Sequence, residues 1–188
     1  MNKHWDDYWI NSPKCKMVLI GFDCAGKSSL LENLNLSKDI VPEIPIIGHH
    51  IEVIKKNKVE IVTWDVGGSD KIRKFFQIYS KDADVVVFVI DSHDTHRFEE
   101  LKRVIDVEFS DITISDAIVL IFANKQDLPN AVSTGELVDK LELKSKIKQN
   151  WTIQPCSTKT GKGIVEGFNW IQNEMNKKKF NKMKKFDL

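Results

Sequence analysis

Apolar residues along this chain fall into short runs, separated by stretches in which apolar positions recur every three or four residues. The runs are Cys15–Ile20, Val59–Trp64, Val85–Ile90, Ala117–Ala123 and Trp151–Pro155. Rich in valine and isoleucine and bounded by turn residues, they predict strands buried on both faces. Between them, Phe98–Phe109 places Phe98, Leu101, Val104 and Ile105 at helical spacing, and Val165–Met175 does so with Val165, Phe168, Ile171 and Met175. Both segments predict amphipathic helices. Strand and helix alternating in this way predict an α/β domain built on a mostly parallel sheet. One pair departs from the alternation. Ile51–Ile54 and Val59–Trp64 are separated only by Lys55-Lys56-Asn57-Lys58, too short for a parallel crossover, so an antiparallel hairpin is predicted there.

Length and composition narrow the class. The 188 residues suit a single domain with its own core, and 41% hydrophobic with 29% charged residues is a globular composition rather than a disordered one. No apolar run reaches the length of a spanning helix, and Met1–Asp7 lacks the apolar core of a secretory signal. Cys15, Cys24 and Cys156 are too scattered for a disulfide framework or a zinc cluster, so a reducing, cytoplasmic setting is expected. The formal charge of +1 conceals an asymmetry. Residues 176–188 carry six lysines against Asp187, a local +5, which leaves the body at −4. With no basic body, a nucleic-acid partner is not expected.

In open α/β sheets ligands bind beyond the carboxyl ends of the strands, so candidate chemistry is sought just after each run. After the first comes Gly21-Phe22-Asp23-Cys24-Ala25-Gly26-Lys27-Ser28, a full G-x-x-x-x-G-K-[ST] pattern, followed by Ser29. Its glycines allow the turn, and backbone N–H groups can converge on an anion at the helix start. Lys27 is suited to outer phosphates and the Ser28 hydroxyl to Mg²⁺. Cys24 reads as a small filler, with redox sensing the alternative. The second hairpin strand ends in Asp65-Val66-Gly67-Gly68, where a carboxylate can orient Mg²⁺ through water and the Gly68 N–H can approach a γ-phosphate. An isolated Asp-x-x-Gly is also a plain turn. Ala117–Ala123 is followed by Asn124-Lys125-Gln126-Asp127. A carboxylate at Asp127 can accept from both N1–H and the 2-amino group of guanine, a pair adenine lacks. The Lys125 stem can cover the base, Asn124 can tie loops together, and Cys156-Ser157-Thr158 lies where a backbone N–H can meet the guanine O6. Four such elements, in order and each at a strand end, are mutually consistent.

These residues resemble the ADP-ribosylation factor (Arf and Arf-like) branch of small GTPases. The likeness is carried by Trp64-Asp65-Val66-Gly67-Gly68, Asp70-Lys71-Ile72-Arg73, Phe122-Ala123-Asn124-Lys125-Gln126-Asp127-Leu128-Pro129-Asn130-Ala131, Asn150-Trp151 and the choice of Asp23, over roughly residues 16–175. It implies a P-loop small-GTPase fold with a six-stranded, mostly parallel sheet, one antiparallel strand and helices on both faces. It also implies GTP/GDP and Mg²⁺ as cofactors. The hairpin Ile51–Trp64 would lie between switch segments at Val41–His50 and Gly67–Tyr79. Effectors, an exchange factor and a GTPase-activating protein would bind there, to a monomer, in membrane trafficking. Two departures matter. The family's switch I carries Pro-Thr-Ile-Gly where this chain has Pro45-Ile46-Ile47-Gly48, and Ile46 offers no metal ligand. The family's water-orienting glutamine is Ser69 here, on a stem too short to reach the same place. The aromatic trio that links the switches becomes His49, Trp64 and Tyr79. Binding positions are kept while two catalytic ones are lost, so slow intrinsic hydrolysis is expected, or a nucleotide-bound scaffold that does not cycle.

The ends add three expectations. Asn2 excludes N-myristoylation and Lys185-Phe186-Asp187-Leu188 has no cysteine to prenylate. The extension 1–15, with Trp5, Tyr8, Trp9 and Ile10, suits either membrane insertion or packing on the domain. The basic tail 176–188, with Phe180, Met183 and Phe186 among its lysines, suits either a solvated, partly disordered end or an extension of the last helix that touches anionic lipid, at about 1 kcal/mol per basic residue near the surface. His93 and His96 lack a third ligand nearby, so no metal site is expected there.

Overall fold

The computed structural model describes residues 9, 14–42, 51–65, 78–110 and 114–186. Strands β1 (Cys15–Gly21), β2 (Ile40–Pro42), β3 (Ile51–Lys56), β4 (Val59–Asp65), β5 (Val85–Asp91), β6 (Ile118–Asn124) and β7 (Asn150–Pro155) form one sheet in the order β2-β3-β4-β1-β5-β6-β7. The expected six strands are present, and the three-residue β2 adds an edge that its length kept out of the hydrophobic pattern. Only β3 runs against the others, pairing antiparallel with both β2 and β4. The hairpin turn is tighter than the four-residue gap expected: Lys55 and Lys56 remain in β3, and Asn57 takes the left-handed conformation at φ 57°. β1 lies between β4 and β5, parallel to both. After β1 the chain crosses to the far edge at β2 and returns inward through β3 and β4, then builds outward on the other side through β5, β6 and β7. The connections leaving β1 and β5 thus run to opposite sides, and a ligand crevice is expected at the β1–β5 boundary.

Residues alternate between the two faces with period two. Val18, Ile20, Val86, Phe88, Ile90, Val119, Ile121 and Ala123 face one cluster, where α2 (Phe98–Glu108), α3 (Thr134–Lys140) and α4 (Leu143–Lys146) supply Leu101, Ile105, Leu137 and Leu143. Met17, Leu19, Val85, Val87, Val89, Ile118, Leu120 and Phe122 face the other. There α1 (Lys27–Asn33) supplies Leu30 and Leu31, and α5 (Ile164–Phe186) supplies Phe168 and Ile171. Trp9 is fully buried in this second cluster, so of the two expectations for the N-terminal segment its indole follows packing on the domain. Trp5, Tyr8 and Ile10 lie outside the described residues.

Local signals fix the helix starts. α3 opens with a capping box: the Ser133 hydroxyl accepts from the Glu136 N–H, and the Glu136 carboxylate accepts from the Ser133 N–H at 3.2 Å. α5 begins beyond the carboxyl end of β7 and runs back past the start of β6, where the Lys178 ammonium donates to the Asp116 carbonyl. It continues past Met175 through Phe186, so residues 176–186 of the basic tail extend the last helix. The eight residues after Lys178 project about 12 Å at 1.5 Å per residue, from the edge of the sheet opposite the strand carboxyl ends.

Two glycines on helices predict opposite outcomes for one substitution. A Cβ at Gly135 meets nothing within 4 Å, so Gly135→Ala should raise stability by about 0.5–1 kcal/mol through helix propensity. A Cβ at Gly167 would lie 2.6 Å from the fully buried Phe122 ring, so Gly167→Ala should lower stability by about 1–3 kcal/mol. Urea denaturation of both variants checks the signs.

Candidate functional site

The loop after β1 is shaped by contacts from elsewhere in the chain. Gly21 leaves no room for a side chain, since a Cβ would lie 2.4 Å from the Val89 carbonyl oxygen on neighbouring β5. Gly26 adopts φ 104°, and its Cβ would lie 2.2 Å from the Asn124 amide nitrogen and 3.0 Å from the Thr158 hydroxyl. Glycine is therefore required at 26 both by backbone conformation and by two loops that arrive from β6 and β7. Between them Cys24 is exposed with φ 58°, and Ala25 is buried with its N–H donating to the Phe22 carbonyl at 3.2 Å.

Lys27 opens α1 with its side chain almost fully buried. Its ammonium donates to the carbonyls of Gly21 (2.9 Å) and Phe22 (2.8 Å) and to the Asp65 carboxylate. An ammonium has three donors, and all three are used, as a buried charge requires. The Asp65 carboxylate is half-exposed at the end of β4, level with Gly21 across the β1–β4 pair. Ser28 is exposed in the first turn of α1, and Ser29 gives its carbonyl to Asn33 at 2.8 Å. Hydroxyl and carboxylate oxygens are the donors Mg²⁺ prefers, with water and phosphate completing its octahedron, so Ser28 and Asp65 fit that ion. Bound there, Mg²⁺ would neutralise phosphate charge. Gly68 and Ser69, with Ile46 and His49, lie outside the described residues. The other two members of the aromatic trio meet: the rings of Trp64 and Tyr79 are 5.9 Å apart and tilted by 48°.

Asn124 joins the site's parts. Its side chain is fully buried. The amide nitrogen donates to the Ala25 carbonyl (2.7 Å) and the Thr158 hydroxyl (3.0 Å), and the amide oxygen accepts from the Thr158 N–H (2.9 Å). One carboxamide thus binds the phosphate loop, the β6 end and the loop after β7. Asn33 adds a second tie, donating to the Thr158 carbonyl at 2.6 Å.

The ends of β5 and β6 are organised by hydrogen-bonded carboxylates. Lys125 takes a left-handed backbone, φ 64°, and its ammonium lies 2.6 Å from the Asp91 carboxylate. Asp91, which the motif reading passed over, ends β5 and also accepts from the His93 N–H at 3.0 Å. It is held in place and in turn orients Lys125. Asp127 is exposed, and its Oδ1 accepts from the Ser157 hydroxyl at 2.6 Å. That hydroxyl oxygen accepts in turn from the Thr160 N–H at 3.2 Å. The Ser157 bond is the main reason the Asp127 carboxyl lies below the usual aspartate range. A cavity of about 500 Å³ opens beside Asp127 and Ser157, with Gln126, Cys156, Lys162 and Glu166 on its walls. Burial pushes the Cys156 thiol up to about 12, so it acts as packing. The backbone donors of Cys156-Ser157-Thr158 all have acceptors within the protein: Ala123 carbonyl, Lys162 carbonyl and Asn124 Oδ1. Donation from this trio to a purine oxygen would therefore share a bond already made.

With this geometry in view, the chain can be set beside known proteins. A family model described as the ADP-ribosylation factor family matches residues 1–175. The chain is similar to ADP-ribosylation factor J of Dictyostelium discoideum, with 42% identity over 163 residues, or 87% of this chain and 86% of that protein. Among solved structures it resembles the Arl6 (BBS3) small GTPase of Trypanosoma brucei with the bound nucleotide analogue GppNp. The TM-score is 0.69 at 27% identity, covering 87% of this chain and 98% of that one.

The Ser157–Asp127 bond yields a titration prediction. Because the folded pKa is depressed, the bond's contribution is complete above the ordinary aspartate value of about 3.9 and is lost as pH falls through the lower folded value. Ser157→Ala should move the Asp127 pKa up toward the ordinary value, read by NMR titration of the side-chain carboxyl carbon. An unchanged pKa would mean the hydroxyl does not govern this group.

Proposed function

The chain belongs to the ADP-ribosylation factor family, and on that premise we propose that it is a guanine-nucleotide switch which binds GTP and GDP well and hydrolyses GTP slowly on its own. The observation that carries the binding half is the Asn124 carboxamide, which ties the loop after β1 to the loops after β6 and β7. That convergence supports one ligand held by all three. Within that frame Lys27, Ser28 and Asp65 face the phosphate and metal end, while Lys125 and Asp127 face the purine. The hydrolysis half rests on residue chemistry. Ile46 has no oxygen for Mg²⁺, and the Ser69 hydroxyl is too short to orient an attacking water as glutamine does. A GTPase-activating protein that supplies an arginine in trans would offset the lost rate by stabilising transition-state charge, without replacing the metal ligand.

The output of such a switch is binding. Effectors and an exchange factor would read the two switch segments and the β3–β4 hairpin, biased by γ-phosphate contacts, in a monomer acting in membrane trafficking. The lysines carried on the helix through Phe186 support peripheral contact with anionic membranes, for a protein this reading places in the cytoplasm. Ile46 and Ser69 together also favour a second reading, a scaffold that stays nucleotide-bound. Effector affinity compared between GTP and GDP forms separates the two, because a scaffold shows no preference.

Two measurements test the leading reading. Calorimetry on nucleotide-stripped protein should give heat with GDP and GTP and none with ATP, and Asp127→Asn should weaken guanine binding by at least about a hundredfold while admitting xanthine nucleotides, whose 2-oxo group accepts a hydrogen bond. No heat with either guanine nucleotide removes the reading. In single-turnover assays, Ile46→Thr with Ser69→Gln should accelerate hydrolysis about tenfold or more. An unaltered rate would show that these positions do not limit the reaction.

A further inference from the structure

The phosphate loop is gripped from its outer side by a residue that no motif marks. Arg97 belongs to the 3₁₀ turn Thr95–Arg97, which follows β5 and leads into α2. Its Nη1 lies 2.7 Å from the Asp23 carboxylate, and its Nε reaches the Glu100 carboxylate at 3.3 Å. The guanidinium carbon sits 4.1 Å from the centre of the Phe22 ring, a cation–π distance. Two consecutive residues of the loop are thereby clasped by one side chain. Only about 20 Å³ of free space remains among Phe22, Asp23, Asp91, Asp94, Arg97 and Phe98, room for about one water and no ligand.

The charge arrangement gives this contact a purpose. A loop that cradles phosphates contains a carboxylate at Asp23, two positions before the buried Ala25. An ionised carboxylate beside a polyanion is repulsive unless a cation offsets it. Lys27, the nearest cation in sequence, is committed to Gly21, Phe22 and Asp65. Arg97 is the partner Asp23 has, and its hydrogen bond holds that carboxyl below the usual aspartate range, so the negative charge is present at neutral pH.

The geometry points to Arg97 as a positioning residue for nucleotide retention. It draws the Asp23 carboxylate outward and neutralises it, while its stacking on Phe22 fixes the first half of the phosphate loop. Asn124 holds the second half at Ala25, so the loop is pinned from β6 on one side and from the β5–α2 turn on the other. This inference rests on the nucleotide-binding reading above and assigns it a residue that touches no nucleotide.

The test is the dissociation rate of a fluorescent GDP analogue from the full chain. Wild type is compared with Arg97→Ala, Arg97→Lys, Asp23→Asn and the Arg97→Ala/Asp23→Asn double variant, at about 50 and about 500 mM salt, with a thermal melt of each. Arg97→Ala should speed dissociation by roughly five- to tenfold at low salt, and the effect should shrink at high salt. The double variant should return to within about twofold of Asp23→Asn alone, and Arg97→Lys should fall between wild type and Arg97→Ala. A rate unchanged by Arg97→Ala overturns the assignment. So does an acceleration that Asp23→Asn leaves intact and that tracks a lowered melting temperature, since that is the behaviour of a merely structural arginine. Failure of wild type itself to bind the analogue overturns the nucleotide-binding reading, and this inference with it.

Discussion

A single buried carboxamide sets the geometry of the site. The Asn124 side chain has no access to water, and its donors and acceptor are satisfied only if Ala25 and Thr158 are brought to it. Leaving a buried polar group unpaired costs about 1–3 kcal/mol, a sizeable share of the 5–15 kcal/mol that holds a domain together. Folding therefore enforces the convergence of three loops that are far apart in sequence. The demand also runs the other way. Because the amide fills the space over residue 26, the phosphate loop admits only glycine there. What a motif presents as a local turn requirement is in part a tertiary one.

The same economy governs the charged groups. Three cations at the mouth of the site have carboxylate partners from elsewhere in the chain: Lys27 with Asp65 and Lys125 with Asp91 at strand ends, and Arg97 with Asp23 in the loop after β1. These pairs are partly exposed, and as stability terms they are small. Their value is positional. A lysine or arginine stem left unpaired samples many rotamers, and a carboxylate partner selects one of them; for the two lysines that partner ends an adjacent strand, so strand register helps order the site.

Much of this was legible in the amino-acid sequence, and the reasons are physical. Strands buried on both faces write themselves as continuous valine and isoleucine runs, and the rule that chemistry follows each run located Gly21–Ser29, Asp65, Asn124–Asp127 and Cys156–Thr158. The same rule, applied to Val85–Ile90, would have flagged Asp91, which ends that strand. Arg97 left no such trace, since its partners Asp23 and Phe22 are more than seventy residues away and an arginine near a helix start is unexceptional. β2 was too short to show a pattern. The length of α5 stayed open between two alternatives because lysines interrupt the apolar periodicity beyond Met175 without preventing helix. For Trp9, an amphipathic segment reads alike whether its apolar side meets lipid or protein, and only the cluster around the indole distinguishes them.

The course of α5 fixes how the molecule can stand. Starting beside the loops at the strand carboxyl ends and leaving the body past Asp116, the helix carries its cationic terminus to the far pole. Any boundary that this pole rests against lies beneath the domain, so the opening for the ligand faces away from it, toward whatever diffuses in from the surroundings.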